Sequence, residues 1–119
     1  MADIATLRRL ALALPDVDEG TAYGTPAWRV RRKLFARLRE DQETVAVRVD
    51  RGERELLMRA EPEVFFIIDH YRAYAWMLVR LAAIPDDELA EVLEDSWRRA
   101  APKRLVRERD EQAERFPAG

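Results

Sequence analysis

Cysteine is absent from this chain of 119 residues. Disulfides, zinc–thiolate sites, iron–sulfur clusters and cysteine nucleophiles are therefore excluded, and a cytoplasmic location is the expectation that fits. Histidine occurs once, at His70, and serine once, at Ser96, so a serine–histidine relay would require these two side chains to meet. The four glycines are not grouped, which rules out a glycine-rich phosphate loop. No apolar run approaches the roughly 20 residues that cross a bilayer. The opening residues, MADIATLRRL, carry an acid early and no long apolar core, so no signal peptide is expected. An excess of one charge is missing as well. Acids number 23 and bases 21, for a net charge of -2. A nucleic-acid role must then rest on local clustering of charge, not on the sum.

What is present is enough apolar material, 48% of residues, to bury one core. Ile4, Leu7, Leu10, Ala11 and Leu14 recur at helical spacing, with Asp3 as a cap and Pro15 as a stop, which predicts a helix over 4–14. Gly20 and YGTP signal turns. Two segments, AWRVR and KLFARLR, then alternate, joined by a tight connection at Arg32–Lys33, and Thr44–Val49 alternates again. Three consecutive antiparallel strands are the natural reading. Asp50, with Glu53 at capping-box spacing, starts a second helix whose stripe is Leu56, Leu57 and Ala60 and which ends at Pro62. VFFIID and WMLVRL read as two more strands joined by HYRAY. Pro85 and the acids Asp86, Asp87 and Glu88 open a last helix with Leu89, Val92, Leu93, Trp97 and Ala100 on its apolar face. After Pro102 the charged tail loses periodicity. The expectation is one α+β domain over 1–108, order α-β-β-β-α-β-β-α, with helices on one face of an antiparallel sheet, and a flexible tail over 109–119.

YGTPAWRVRRKLFARL, FFIIDHYRAYAWMLVRL and DELAEVLEDSWRRAAPKRL together resemble the MmcQ/YjbR family of small bacterial proteins, over about Ala5 to Leu105. The resemblance implies a frataxin-like architecture, also similar to a double-wing DNA-binding domain, and hence a DNA-binding role. Fold likeness is an associational argument for function. It supplies no catalytic residues. Iron binding of the frataxin kind would need a densely acidic first helix, and IATLRRLALAL is basic on its polar face.

Two candidate sites follow from the residues. Arg29, Arg31, Arg32, Lys33, Arg37 and Arg39 form a basic run without an acid. Strand alternation would project Arg29, Arg31, Arg37 and Arg39 from the face opposite the helices, joined by Arg48, with Phe35 free to stack on bases. Such a face can grip phosphates, and Lys33 adds to it. The competing reading is a solvated sheet face that pairs with nearby glutamates. The second candidate is the hairpin His70, Tyr71, Arg72 and Tyr74, a recognition edge for a base, a small ligand or a protein, which could serve nucleic acid together with the arginine face; Trp76 reads as core. No metal site, cofactor or catalytic constellation is expected: the acids at 86–88 serve the helix dipole and those at 16–19 are solvated. A monomer is the default.

Overall fold

Asp3 accepts the Thr6 N–H at 2.8 Å and so caps helix α1, Ile4–Leu12. The computed structural model to which this helix belongs describes residues 2–115. Six antiparallel strands follow: β1 Val17–Ala22, β2 Thr25–Val30, β3 Lys33–Leu38, β4 Thr44–Arg48, β5 Phe65–Phe66 and β6 Trp76–Arg80, in the spatial order β1-β2-β3-β4-β6-β5. Helix α2, Arg51–Ala60, leaves β4 behind an Asp50 cap that accepts the Glu53 N–H. The described residues end with α3, Asp86–Ala100, and α4, Lys103–Arg115. This is the expected α+β class, with α1 and α3 packed on one face of the sheet.

Four details differ from the sequence reading, each for a physical reason. Strand β1 was not anticipated because VDEGTA has an exposed, acidic pattern with no alternation of burial. It forms by pairing, Val17 to Val30 through Ala22 to Thr25, and its charges protect the sheet edge. The turns on either side of β2 are two-residue hairpins, Tyr23–Gly24 (φ 54° and 82°) and Arg31–Arg32 (φ 49° and 73°), not Arg32–Lys33. The apolar run from Val64 yields only the two strand residues Phe65 and Phe66, and residues 67–75 form a broad loop containing a single 3-10 turn, Asp69–Tyr71. Of the tail expected to be flexible over 109–119, residues 109–115 belong to a helix, and 116–119 lie outside the described residues. Leu105 is buried, Arg109 donates to Glu94 at 2.8 Å, and Arg98 donates to Asp110 at 2.7 Å.

A bulge decides which side chains meet the helices. Trp28 faces Ala36, but Arg29 faces Leu34, so Phe35 has no partner across β2. Phe35 thereby turns into the core with Ala36 and Leu38 and is fully buried, so it is no stacking platform. Ser96 of α3 serves the backbone here. Its hydroxyl donates to the Phe35 carbonyl at 2.5 Å and accepts the Arg48 N–H at 2.9 Å. The core around this point contains Leu7, Trp28, Leu89, Leu93 and Trp97, all without exposed surface.

Candidate functional site

The face opposite α1 and α3 is set by strand register. Arg37 pairs with Ala46, and Arg48 pairs with Trp76, so these residues share the open side with Leu34. Leu34, Ala46 and Trp76 floor a cleft of about 540 Å³. One wall is Tyr23, from the β1–β2 turn, with Arg37 and Glu40. The other is the 67–75 loop, which contributes Ile68, His70, Tyr71 and Tyr74, and Arg39 completes the lining. The arginine face and the aromatic hairpin of the sequence reading are thus two sides of one concavity.

The arginines differ in what remains free. Arg37 is buried; its Nε donates to the Ala22 carbonyl at 3.1 Å, its Nη2 bonds Glu40, and its guanidinium lies 4.9 Å from the Tyr23 ring centroid. Arg48 donates Nε to the Leu34 carbonyl at 2.7 Å and lies 4.9 Å from the Trp76 ring centroid. Burial pulls the Arg48 guanidinium below its ordinary pKa, though it stays charged. Arg39 is half-buried, and its Nε is sealed from solvent without a partner among the described residues. Arg29 extends over Gly20 on the open side, half-buried. Arg31 and Lys33 do not join that face. They sit exposed at the hairpin tip with Arg32, and Arg31 is paired with Asp16 at 2.7 Å. The expected solid face of phosphate-gripping arginines is therefore broken up: the turn removes Arg31 and Lys33, and internal carbonyls and rings engage Arg37 and Arg48.

On the loop, His70 stands edge-on to Tyr71 with ring centroids 5.1 Å apart and tilted to Tyr74 at 6.2 Å. Arg72 points elsewhere, pairs with Asp69 at 2.9 Å, and does not line the cleft. Trp76, read as core, is half-buried and floors the cleft. Ser96 and His70 are not brought together, since Ser96 is buried beneath α3 while His70 is exposed on the open side. Among the described residues no group of three or more histidine or acidic side chains is placed to hold a metal ion, and no helix is long and apolar enough to cross a membrane.

The residue that shapes the loop was not anticipated. Arg54 of α2 is buried, whereas Leu56 and Ala60, assigned to the apolar stripe, are exposed. Its Nη1 donates to the carbonyls of Tyr74 at 2.7 Å, Trp76 at 2.9 Å and Tyr71 at 3.3 Å, and its Nη2 to that of Arg72 at 3.4 Å. Arg51 adds a bond to the Ala73 carbonyl. A buried cation with no carboxylate partner among the described residues is here stabilised by converging carbonyl dipoles, which order the loop backbone. The signal was present in the spacing: Arg54, Leu57 and Met58 are i, i+3 and i+4 on one helical face.

The family model described as YjbR matches residues 12–99. The uncharacterized protein Rv2570 of Mycobacterium tuberculosis is 38% identical over 97 residues, covering 66% of this chain and 75% of that protein. The uncharacterized protein Mb2600 of Mycobacterium bovis matches with the same identity and coverage. Among solved structures, the crystal structure of Deinococcus radiodurans protein DR2400, with a domain of the DUF419 family model, superposes with a TM-score of 0.69 at 24% identity, over 82% of this chain and 77% of that one. That likeness is one of fold.

Proposed function

The chain belongs to the YjbR family, and we propose that it is a non-catalytic binding module whose ligand enters the cleft between the open sheet face and the 67–75 loop. One observation carries this reading. Four aromatic side chains from three separate segments, Tyr23, Tyr71, Tyr74 and Trp76, converge with Arg37 and Arg39 on one concavity of about 540 Å³. That volume lies in the range of about 300–1,000 Å³ typical of small-molecule sites, where apolar walls carry a few placed polar groups. The absence of cysteine accords with a cytoplasmic setting, and the protein works in this reading as a monomer.

Trp76 provides the test, because Trp28 and Trp97 have no exposed surface. A cleft ligand found in a thermal-shift screen is expected to change tryptophan emission through Trp76 alone and to lose its effect in a Tyr71→Ala/Tyr74→Ala variant. At a hundredfold excess over Kd it adds about 2.7 kcal/mol of stability. Ligands that stabilise the protein equally well in the double variant would refute the cleft.

Nucleic acid is the second reading, and the hairpin tip favours it. Arg31 and Arg32 both hold left-handed backbone, which suits Asn-Gly far better, yet basic side chains occupy both positions beside Lys33. With Arg31, Arg37 and Arg48 engaged internally, Arg29, Arg32, Lys33 and Arg39 remain for phosphates. Four such contacts to duplex DNA give a log–log salt slope of about −3.6. An Arg32→Glu/Lys33→Glu variant that bound DNA unchanged would remove this reading.

A further inference from the structure

We infer that the cleft is built for a planar aromatic monocarboxylate of one or two rings, with its carboxylate on Arg39 and its ring against Tyr71, Tyr74 and Trp76. The inference rests on the binding-module reading and supplies the chemistry of the occupant.

The charge of the occupant follows from what the cleft already satisfies. Its lining sets two guanidinium groups, Arg37 and Arg39, against one carboxylate, Glu40. Glu40 and Arg37 bond each other, and Arg37 is further occupied by a carbonyl and the Tyr23 ring. The nearby Asp41 carboxylate is also engaged, accepting the N–H groups of Glu43 and Thr44 and the Thr44 hydroxyl at 2.9–3.0 Å. Arg39 is left as the uncommitted cation, half-buried, with no side-chain hydrogen bond or ion pair among the described residues. A guanidinium in this state presents a planar fork matched to one carboxylate, and partial removal from water strengthens the pairing. Glu40 lines the cleft beside the two guanidinium groups, so a second negative charge placed there would meet its repulsion. A monoanion therefore fits better than a phosphate monoester dianion.

The rings exclude the opposite ligand. An aromatic lining could otherwise serve an organic cation. Here the Tyr23 and Trp76 rings already carry the guanidinium groups of Arg37 and Arg48, each 4.9 Å from the centroid. A cation entering the cleft would meet the like charge of the guanidinium groups held at both rings, whereas an anion meets attraction. A flat ring suits the loop wall, where the His70 ring lies 5.1 Å from that of Tyr71 and 6.2 Å from that of Tyr74, because aromatic side chains are best covered by another flat ring. Arg54 holds the backbone of that wall through its carbonyl bonds, so little ordering is left to occur on binding.

The test is calorimetric titration of the whole protein, with the Trp76 indole N–H followed by NMR. The probes are benzoate and indole-3-acetate, benzamide (planar and neutral), cyclohexanecarboxylate (charged and not flat) and phenyl phosphate (flat and dianionic). The two aromatic carboxylates are expected to shift the Trp76 signal and to bind about tenfold or more tightly than the other three, the scale of a charge-assisted hydrogen bond. Arg39→Gln is expected to remove that advantage and leave benzamide unaffected. Arg39→Lys, which keeps the charge without the fork, should retain part of it, and thermal melts confirm that both variants fold. Equal binding of benzamide, tighter binding of phenyl phosphate, or an unchanged carboxylate affinity in Arg39→Gln would each overturn the inference while leaving a ligand cleft in place. No shift of Trp76 with any probe or with any thermal-shift hit would overturn both the inference and the binding-module reading.

Discussion

The helix-covered side of the sheet and its open side solve the same problem with different materials. On the covered side Trp28, Phe35, Leu93 and Trp97 are fully buried, and the polar groups among them are few and paired: Trp97 Nε1 donates to the Pro15 carbonyl at 2.9 Å, and Ser96 bridges β3 and β4. On the open side the strands carry arginines that lie on rings and carbonyls: Arg37 on Tyr23, Arg48 on Trp76, and Arg80 on Phe66 at 3.9 Å. Hydrocarbon burial is non-directional and fills space. Arginine stacking covers apolar surface while keeping a polar, hydrated rim. The first arrangement closes a core, and the second leaves a walled cleft. That difference is why stability should reside on one side and binding on the other.

The largest effect that would break the comparison comes from truncation. Leu93→Ala, on the covered side, is expected to cost about 3 kcal/mol in denaturant unfolding, while Leu34→Ala, half-buried in the cleft floor, should cost about 1 kcal/mol or less. Equal losses would mean that the open side is as much a core as the other. Next is Arg54→Met, which keeps the aliphatic bulk and deletes the donors to the loop carbonyls. A loss of about 2 kcal/mol is expected, with amide exchange rising over residues 67–75 well beyond any rise in β2–β4. Uniform exchange across the sheet would show that the loop is not a separately held unit.

The smallest expected effect is pH-dependent and lies between α2 and α3. Burial, together with a hydrogen bond that the protonated Glu88 carboxyl donates to Glu61 and the charge of Glu61, pushes the Glu88 carboxyl up from 4.5 to about 7. A raised folded-state pKa favours the protonated form, so this contribution is full below about pH 4.5 and is lost as pH rises through about 7. Glu88→Gln should therefore flatten the pH dependence of melting between those values and stabilise the protein at pH 8 by about 0.5–1 kcal/mol, a figure reduced for solvent screening. Glu94 behaves oppositely. Hydrogen bonds from Arg109 and Arg98 hold it below the usual carboxylate range, so its contribution is present above the unfolded value and fades as pH falls.

Elements with strong periodicity and capping were legible in the sequence. The stripe Leu89–Leu93–Trp97, the caps Asp3 and Asp50 and the alternation in β2 and β4 depend on neighbours three or four residues away, or two. The cleft was half legible, since Arg37, Arg39 and the His70–Tyr74 segment were all visible as candidates, but not as the walls of one concavity. Their union needed the sheet order, which lays β6 beside β4 and swings the loop over the open face. Tertiary structure alone decided the rest. An acidic segment became β1 because β2 offered it a ladder, and a charged tail became α4 because Glu94 and Trp97 offered it partners. One residue out of register moved Phe35 from the binding face to the core, and a buried Arg54 found its carbonyls about 20 residues along the chain. Local pattern fixes what a segment can be, but pairing, bulges and buried charges are settled by partners distant in sequence, and those partners choose which face a side chain shows.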